Sequence, residues 1–143
     1  NFKNPKRDMA ITALAGPLSN IIIGSVFLFI FGIIYIPCMT STSQLAEAVI
    51  ETVYVTAYLS FALAVFNIVP VPPLDGSKVL FSLLSDKAYL KLMYFERYGM
   101  IVLLLLVSTG ILGTPLQNAT EFLVDKLSFF MQWGYDLYSK LAL

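Results

Sequence analysis

The sequence predicts an all-α membrane protein with three transmembrane helices, a proline-broken loop between the second and third, and an amphipathic surface helix near the C-terminus. Three observations carry this. The 143 residues are 58% hydrophobic and only 13% charged, where soluble domains run near half apolar and about a quarter charged. A chain this short buries the smallest fraction of its surface on folding, so it could not hide that much apolar area from water. The charges are also bunched, leaving uncharged stretches at 9–46, 52–74 and 98–120. Each is long enough for one crossing of about 20 residues, and none for two crossings with a loop.

The same composition excludes other classes. Nine Lys and Arg balance nine Asp and Glu, so no net field draws a polyanion, and a nucleic-acid partner is not expected. The single cysteine, Cys38, closes no disulfide within the chain. The sequence contains no histidine.

The elements follow in order. Helix one is expected over Met9–Ile36, ended by Pro37 and followed by a polar loop, Thr40–Ser43. Helix two starts near Gln44 and ends at Asn67. Glu47 and Glu51 lie in its first turns, where carboxylates suit the macrodipole. Pro70, Pro72 and Pro73 then break the chain, since no helix survives three prolines in four positions. A short helix is expected over Ser77–Leu84, and helix three over Tyr89–Leu112, with Gly110 and Gly113 loosening its end. Toward the C-terminus Glu121, Asp125, Ser128, Gln132, Asp136 and Ser139 recur every three or four residues. Phe122, Leu123, Leu127, Phe130, Leu137 and Leu141 fill the opposite side, with Trp133 and Tyr138 at its borders. This is the pattern of a helix lying on the bilayer or capping the bundle. No repeat or linker divides the chain, which reads as one helical unit.

Lys and Arg in short loops set the orientation. Lys3, Lys6 and Arg7 precede helix one, and Lys78, Lys87, Lys91 and Arg97 fall between helices two and three. None lies in 37–44 or 113–118. Helix one therefore leaves the cytoplasm, helix two returns and helix three leaves again.

Two places break the pattern of a simple span. The first is Phe66-Asn67-Ile68-Val69-Pro70-Val71-Pro72-Pro73-Leu74-Asp75-Gly76. An ionisable group in apolar sequence is a functional candidate by default, and broken backbone at membrane depth lines a cavity or is buried in protein. The prolines are expected to freeze an extended stretch whose free N–H and C=O groups could pair with another extended peptide. Gly76 gives the next turn room. The loop would present the carboxylate of Asp75 and the carboxamide of Asn67 to a protected pocket. Structural readings stand beside this one: Asp75 as N-cap of the short helix, and Asn67 as a left-handed C-cap. The second place is Ala15-Gly16-Pro17-Leu18-Ser19-Asn20, with Gly24 one turn later. Gly16, Asn20 and Gly24 share a face that admits close helix packing, and the loop is expected to fold back onto it.

Asn67-x-x-Pro70-x-Pro72-x-Leu74-Asp75-Gly76 resembles the second signature of the site-2 protease family of intramembrane zinc metalloproteases. Ala15-Gly16-Pro17-x-x-Asn20 is similar to the segment preceding it in bacterial members, and Asn4-Pro5-Lys6-Arg7-Asp8-Met9 to the approach to that segment. The resemblance covers roughly residues 1–100, with its pieces in the family order. It implies an upstream helix bearing His-Glu-x-x-His, whose histidines bind zinc and whose glutamate activates the metal-bound water. Asp75 would complete the ligand set. Three protein ligands leave zinc a fourth position for a water of lowered pKa. Asn67, Pro70, Pro72 and Gly76 would hold the substrate segment extended at the metal. The implied partners are transmembrane segments of other proteins and the lipid bilayer. The implied location is a bacterial cytoplasmic membrane, with the site reached from the cytoplasm.

The chain departs from the family in having no histidine, and it does not begin with methionine. It reads as the C-terminal part, over 1–143, of an intramembrane metalloprotease domain whose upstream catalytic helix is missing. Alone it is expected to be inactive and to hold zinc poorly, because His and Cys supply most of the affinity. The rival readings are a non-catalytic derivative of such proteases that binds transmembrane partners, and a small transporter subunit using an intramembrane Asp.

Overall fold

The first two uncharged stretches become the two longest helices. In the computed structural model, which describes residues 5–85, 87, 94 and 96–142, α1 runs over Pro5–Met39 and α2 over Gln44–Ile68. Large apolar side chains stand exposed along both, among them Leu18, Ile22 and Val26 on α1 and Leu45, Leu59 and Leu63 on α2. Helices apolar on all sides belong inside a large core or across a membrane. Both are long and apolar enough to cross one, and a third crossing is counted if the bent pair Gly99–Ser108 and Gly113–Leu141 forms one span. No β-strand occurs among the described residues.

Several boundaries differ from those the sequence suggests, beginning with α1, which starts at Pro5 and not at Met9. Pro37 does not end α1, which continues to Met39. A proline this close to a C-terminus removes one hydrogen bond from the last turns and no more. The turn closes beyond it, where Thr40 Oγ1 donates to the carbonyls of Ile36 and Pro37 at 3.0 and 3.3 Å. Helix α2 starts at Gln44 as expected, behind Ser43, whose Oγ accepts the Leu45 N–H at 3.3 Å as an N-cap does. It ends one residue late, at Ile68.

The chain divides into two compact units. The first comprises the start of α1 up to Ser19 together with Leu63–Asn118. It holds α3, Asp75–Ser82, and α4, Gly99–Ser108. The third helix expected from Tyr89 falls partly on residues outside those described, as do Lys3 and Lys91. Its described part is α4, preceded by a turn in which the Arg97 guanidinium lies over the rings of Tyr94 and Tyr98, at 4.4 and 4.9 Å from their centroids. Helix α4 stops short of Leu112. The Ser108 and Thr109 hydroxyls donate to carbonyls of the last turn, competing with the backbone ladder, and Gly110 takes φ +71°.

The second unit comprises Asn20–Ala62 and Ala119–Leu143. Its core is Leu28 of α1 with Ala57 and Phe61 of α2, and the Phe61 ring lies over Gly24, where an added Cβ would sit 2.7 Å from it. Leu123, Val124, Leu127, Phe130 and Met131 pack against that core. The C-terminal amphipathic segment is two helices, α5 over Gly113–Leu127 and α6 over Phe129–Leu141. They part at Ser128, whose Oγ donates to the Asp125 carbonyl at 2.7 Å. Helix α6 crosses α1 where Gly32 meets the Met131 carbonyl and Gly134 meets the Phe29 carbonyl, with no room for a Cβ on either glycine. Gly134→Val is therefore expected to push the helices apart and cost about 1–3 kcal/mol, as overpacked contacts do. Thermal unfolding in detergent checks this; an unchanged midpoint would mean that the crossing can yield.

Candidate functional site

Within the first unit the end of α2, the proline loop and α3 form one continuous corner. The loop departs from the extended strand that its prolines suggest. Val69 N–H donates to the Phe66 carbonyl at 3.1 Å, Val71 N–H to Val69 at 2.8 Å, and Leu74 N–H to Val71 at 3.0 Å. Pro70, Pro72 and Pro73 carry no N–H. Every backbone donor of 69–74 is thus absent or used inside the turn, which includes the cis Pro72–Pro73 bond. The loop keeps carbonyl acceptors and offers no ladder of donors.

Close backbone contact closes the corner on both sides. Gly76 is buried, and a Cβ there would overlap the Ile68 carbonyl and lie 2.7 Å from that of Val69. The role of Gly76 is this approach rather than freedom in the turn, since Gly110 is the glycine with positive φ among the described residues. Gly99, the first residue of α4, is pressed in the same way against Pro72. Ser77 is buried, its Oγ donating to the Leu74 carbonyl at 2.7 Å.

Asp75 is not an N-cap. That position belongs to Leu74, at φ −69° and ψ 153°, with no side-chain cap. Asp75 is the first residue of α3, two positions earlier than expected, and its carboxylate is turned to other partners. Oδ1 accepts from Lys78 Nζ at 2.9 Å. Oδ2 faces α1 at Gly16, where an added Cβ would lie 3.0 Å away. The small-residue face of α1 therefore meets the first residue of α3 at Gly16. Gly24 meets Phe61 in the second unit, where Asn20 is half-buried.

Asn67 is also not a left-handed cap: it lies inside α2, and no non-glycine among the described residues has positive φ. It lines a cavity of about 230 Å³ with Gly76, Val79 and Leu80, closed by Ala13 and Pro17 of α1. The expected pocket of Asn67 and helix one is present, but Asp75 does not line it; its carboxylate is directed to Gly16 and Lys78 instead. Pro72 is half-buried under Gly99, and Pro70 is exposed. Larger cavities of about 470 and 520 Å³ lie in the second unit and are lined by none of the predicted residues.

For a metal the corner offers a single carboxylate, that of Asp75. No group of three or more His, Cys, Asp or Glu side chains that could hold a metal occurs among the described residues. A carboxylate suits zinc, so by its chemistry Asp75 can be one donor in a larger set, although its Oδ2 here packs against Gly16 of α1. Sequence reasoning used Lys78 only for topology and passed over Gly99. The i, i+3 spacing of Asp75 and Lys78 was the available signal for the first. A lone glycine carried none for the second.

Peptidase family M50 matches residues 29–108, a range that includes the whole Asn67–Gly76 segment. A similar curated protein is "Putative zinc metalloprotease YwhC" of Bacillus subtilis (strain 168), 29% identical over 130 residues that cover 88% of this chain. The chain spans 59% of that relative's length. No solved structure matches it.

Proposed function

The chain belongs to peptidase family M50, the site-2 protease family, and from that membership we propose that it is part of a zinc-dependent intramembrane endopeptidase cleaving transmembrane segments of substrate proteins. Asp75 is the third protein ligand to zinc, and the histidine ligands come from parts of the parent protein outside these residues. Asn67, Pro70, Pro72 and Gly76 form the clamp for the substrate segment. The observation that carries the reading is the state of Asp75. It opens α3 without capping it, and Oδ2 lies close against α1 at Gly16, where an added Cβ would sit 3.0 Å away.

When bound, zinc with three protein ligands supplies an activated water near neutral pH. The chain's own residues bind and orient. Asn67 brings a carboxamide, able to donate and accept, to the wall of the apolar cavity. The loop carbonyls accept from the N–H groups of an extended peptide, while the peptide's own carbonyls find their donors elsewhere. The chain crosses a bacterial cytoplasmic membrane three times, with Arg7, Lys78, Lys87 and Arg97 on the cytoplasmic side, from which substrate reaches the site. The C-terminal helices serve as its surface element.

The test is metal removal from the full-length natural protein in membranes. Cleavage of a transmembrane reporter substrate is expected to stop on chelation and return on adding zinc. The 143-residue chain alone is expected to cleave nothing in the same assay. Cleavage that persists after complete zinc removal would overturn the reading.

A further inference from the structure

We propose that the groove beside the crossing of α1 and α6 binds the headgroup of a phospholipid carrying a primary ammonium, such as phosphatidylethanolamine. The groove lies within the second unit and has a volume of about 470 Å³. Gly32 and Tyr35 of α1 line it, with Met131, Gln132, Tyr135 and Asp136 of α6. Gly32, pressed against the Met131 carbonyl, brings no side chain to fill the space. The lining is one carboxylate, one carboxamide and two phenols beside a methionine, with no basic group among them. Tyr35, Gln132, Tyr135 and Asp136 are all exposed. Asp136 forms no ion pair among the described residues, not even with Lys140 one turn further along α6. An ammonium suits this set. It can donate to the carboxylate and to the amide oxygen, and aromatic faces attract a cation. The two phenol hydroxyls, the Gln132 amide and the Lys140 ammonium remain as donors for the phosphate.

Depth favours a lipid as the source of that ammonium. Helix α1 is continuous from Pro5 to Met39, and at 1.5 Å per residue Tyr35 stands about 42 Å along it from Arg7. A bilayer is about 30 Å thick across its hydrocarbon core and about 40–45 Å with both headgroup layers. With Arg7 on the cytoplasmic side, Tyr35 and the groove therefore lie among the headgroups of the opposite leaflet. The surrounding aromatics agree with that depth. Phe31 contacts both Tyr35 and Tyr54, at 5.7 and 5.4 Å between ring centroids, and Trp133 stands exposed on α6. Tyr and Trp gather where a membrane meets water. The proposal requires α1 to cross a bilayer and requires nothing of Asp75 or of zinc.

The test uses the full-length protein in a non-ionic detergent, with bound lipid read by native mass spectrometry. Phosphatidylethanolamine and phosphatidylglycerol of identical acyl chains are titrated separately. Phosphatidylethanolamine is expected to bind about tenfold more tightly, the size of one charge-assisted hydrogen bond. Asp136→Asn is expected to abolish that preference at an unchanged unfolding midpoint, because the side chain is exposed and unpaired. Asp125→Asn, which removes an exposed carboxylate outside the groove, is expected to keep it. Equal binding of the two lipids by the unaltered protein would overturn the proposal. So would a preference that survives Asp136→Asn, or one lost equally in Asp125→Asn. Binding of an oligolysine peptide that depends on Asp136, with no preference between the lipids, would give the groove to a basic protein segment and also sink the proposal.

Discussion

In the full-length protein, Asp75→Asn is expected to abolish cleavage of a transmembrane substrate while the helices still insert and fold. The substitution keeps the shape of the side chain and removes its charge. A carboxylate ligand is lost to the metal, and the effect should exceed about 100-fold, since even outer-shell partners cost 10–100-fold. Little stability goes with it, because Asp75 caps nothing and its partner Lys78 is half-exposed. Zinc content and cleavage should therefore fall together, with unchanged membrane insertion and a near-native unfolding midpoint. Wild-type zinc content with wild-type cleavage would reduce Asp75 to an ion-pair partner of Lys78.

Gly76→Ala is expected to be the most disruptive conservative change in the corner. Its new Cβ would overlap the Ile68 carbonyl and crowd that of Val69, both backbone atoms that cannot rotate away. Overpacked side chains cost about 1–3 kcal/mol, and a backbone obstacle belongs at the upper end. The last turn of α2 must separate from α3, and the residue carried with the shift is Asp75, one position earlier. Stability and zinc affinity should thus fail together in Gly76→Ala, whereas Asp75→Asn should lose only the second. Unfolding midpoint and zinc content, measured on both variants, separate the two. A Gly76→Ala protein of native stability would show that the corner can open.

Much of the chain up to the start of α3 was legible from local chemistry. Ser43 and Gln44 mark the start of α2, and three prolines mark the break after Ile68. The family signature directed attention to Asp75 and Asn67, and membership is shown by the match over 29–108. The structure departs from local chemistry where a second interaction outweighs the first. Pro37 suggests the end of a helix that in fact runs two residues further, to Met39. The prolines at 70, 72 and 73 suggested an extended strand, but the intervening valines and Leu74 fold their own N–H groups inward. The structural alternative for Asp75, a cap on the short helix, falls away because its neighbour Leu74 holds that place. Other features were not legible at all. The crossing of Gly32 with α6 and the seat of Gly99 on Pro72 join residues far apart in sequence. Neither glycine belongs to a small-residue pattern of the kind that marked Gly16, Asn20 and Gly24.

The inward-turned donors of the proline loop also bear on self-association. An open strand edge carries both unpaired N–H and unpaired C=O groups, which is why it templates copies of itself and leads to aggregation. Between Val69 and Leu74 each N–H is either missing or already bonded. Two such loops brought face to face have acceptors on both sides and nothing to share between them. A peptide that brings its own donors would find acceptors there that a second copy of the loop could not use.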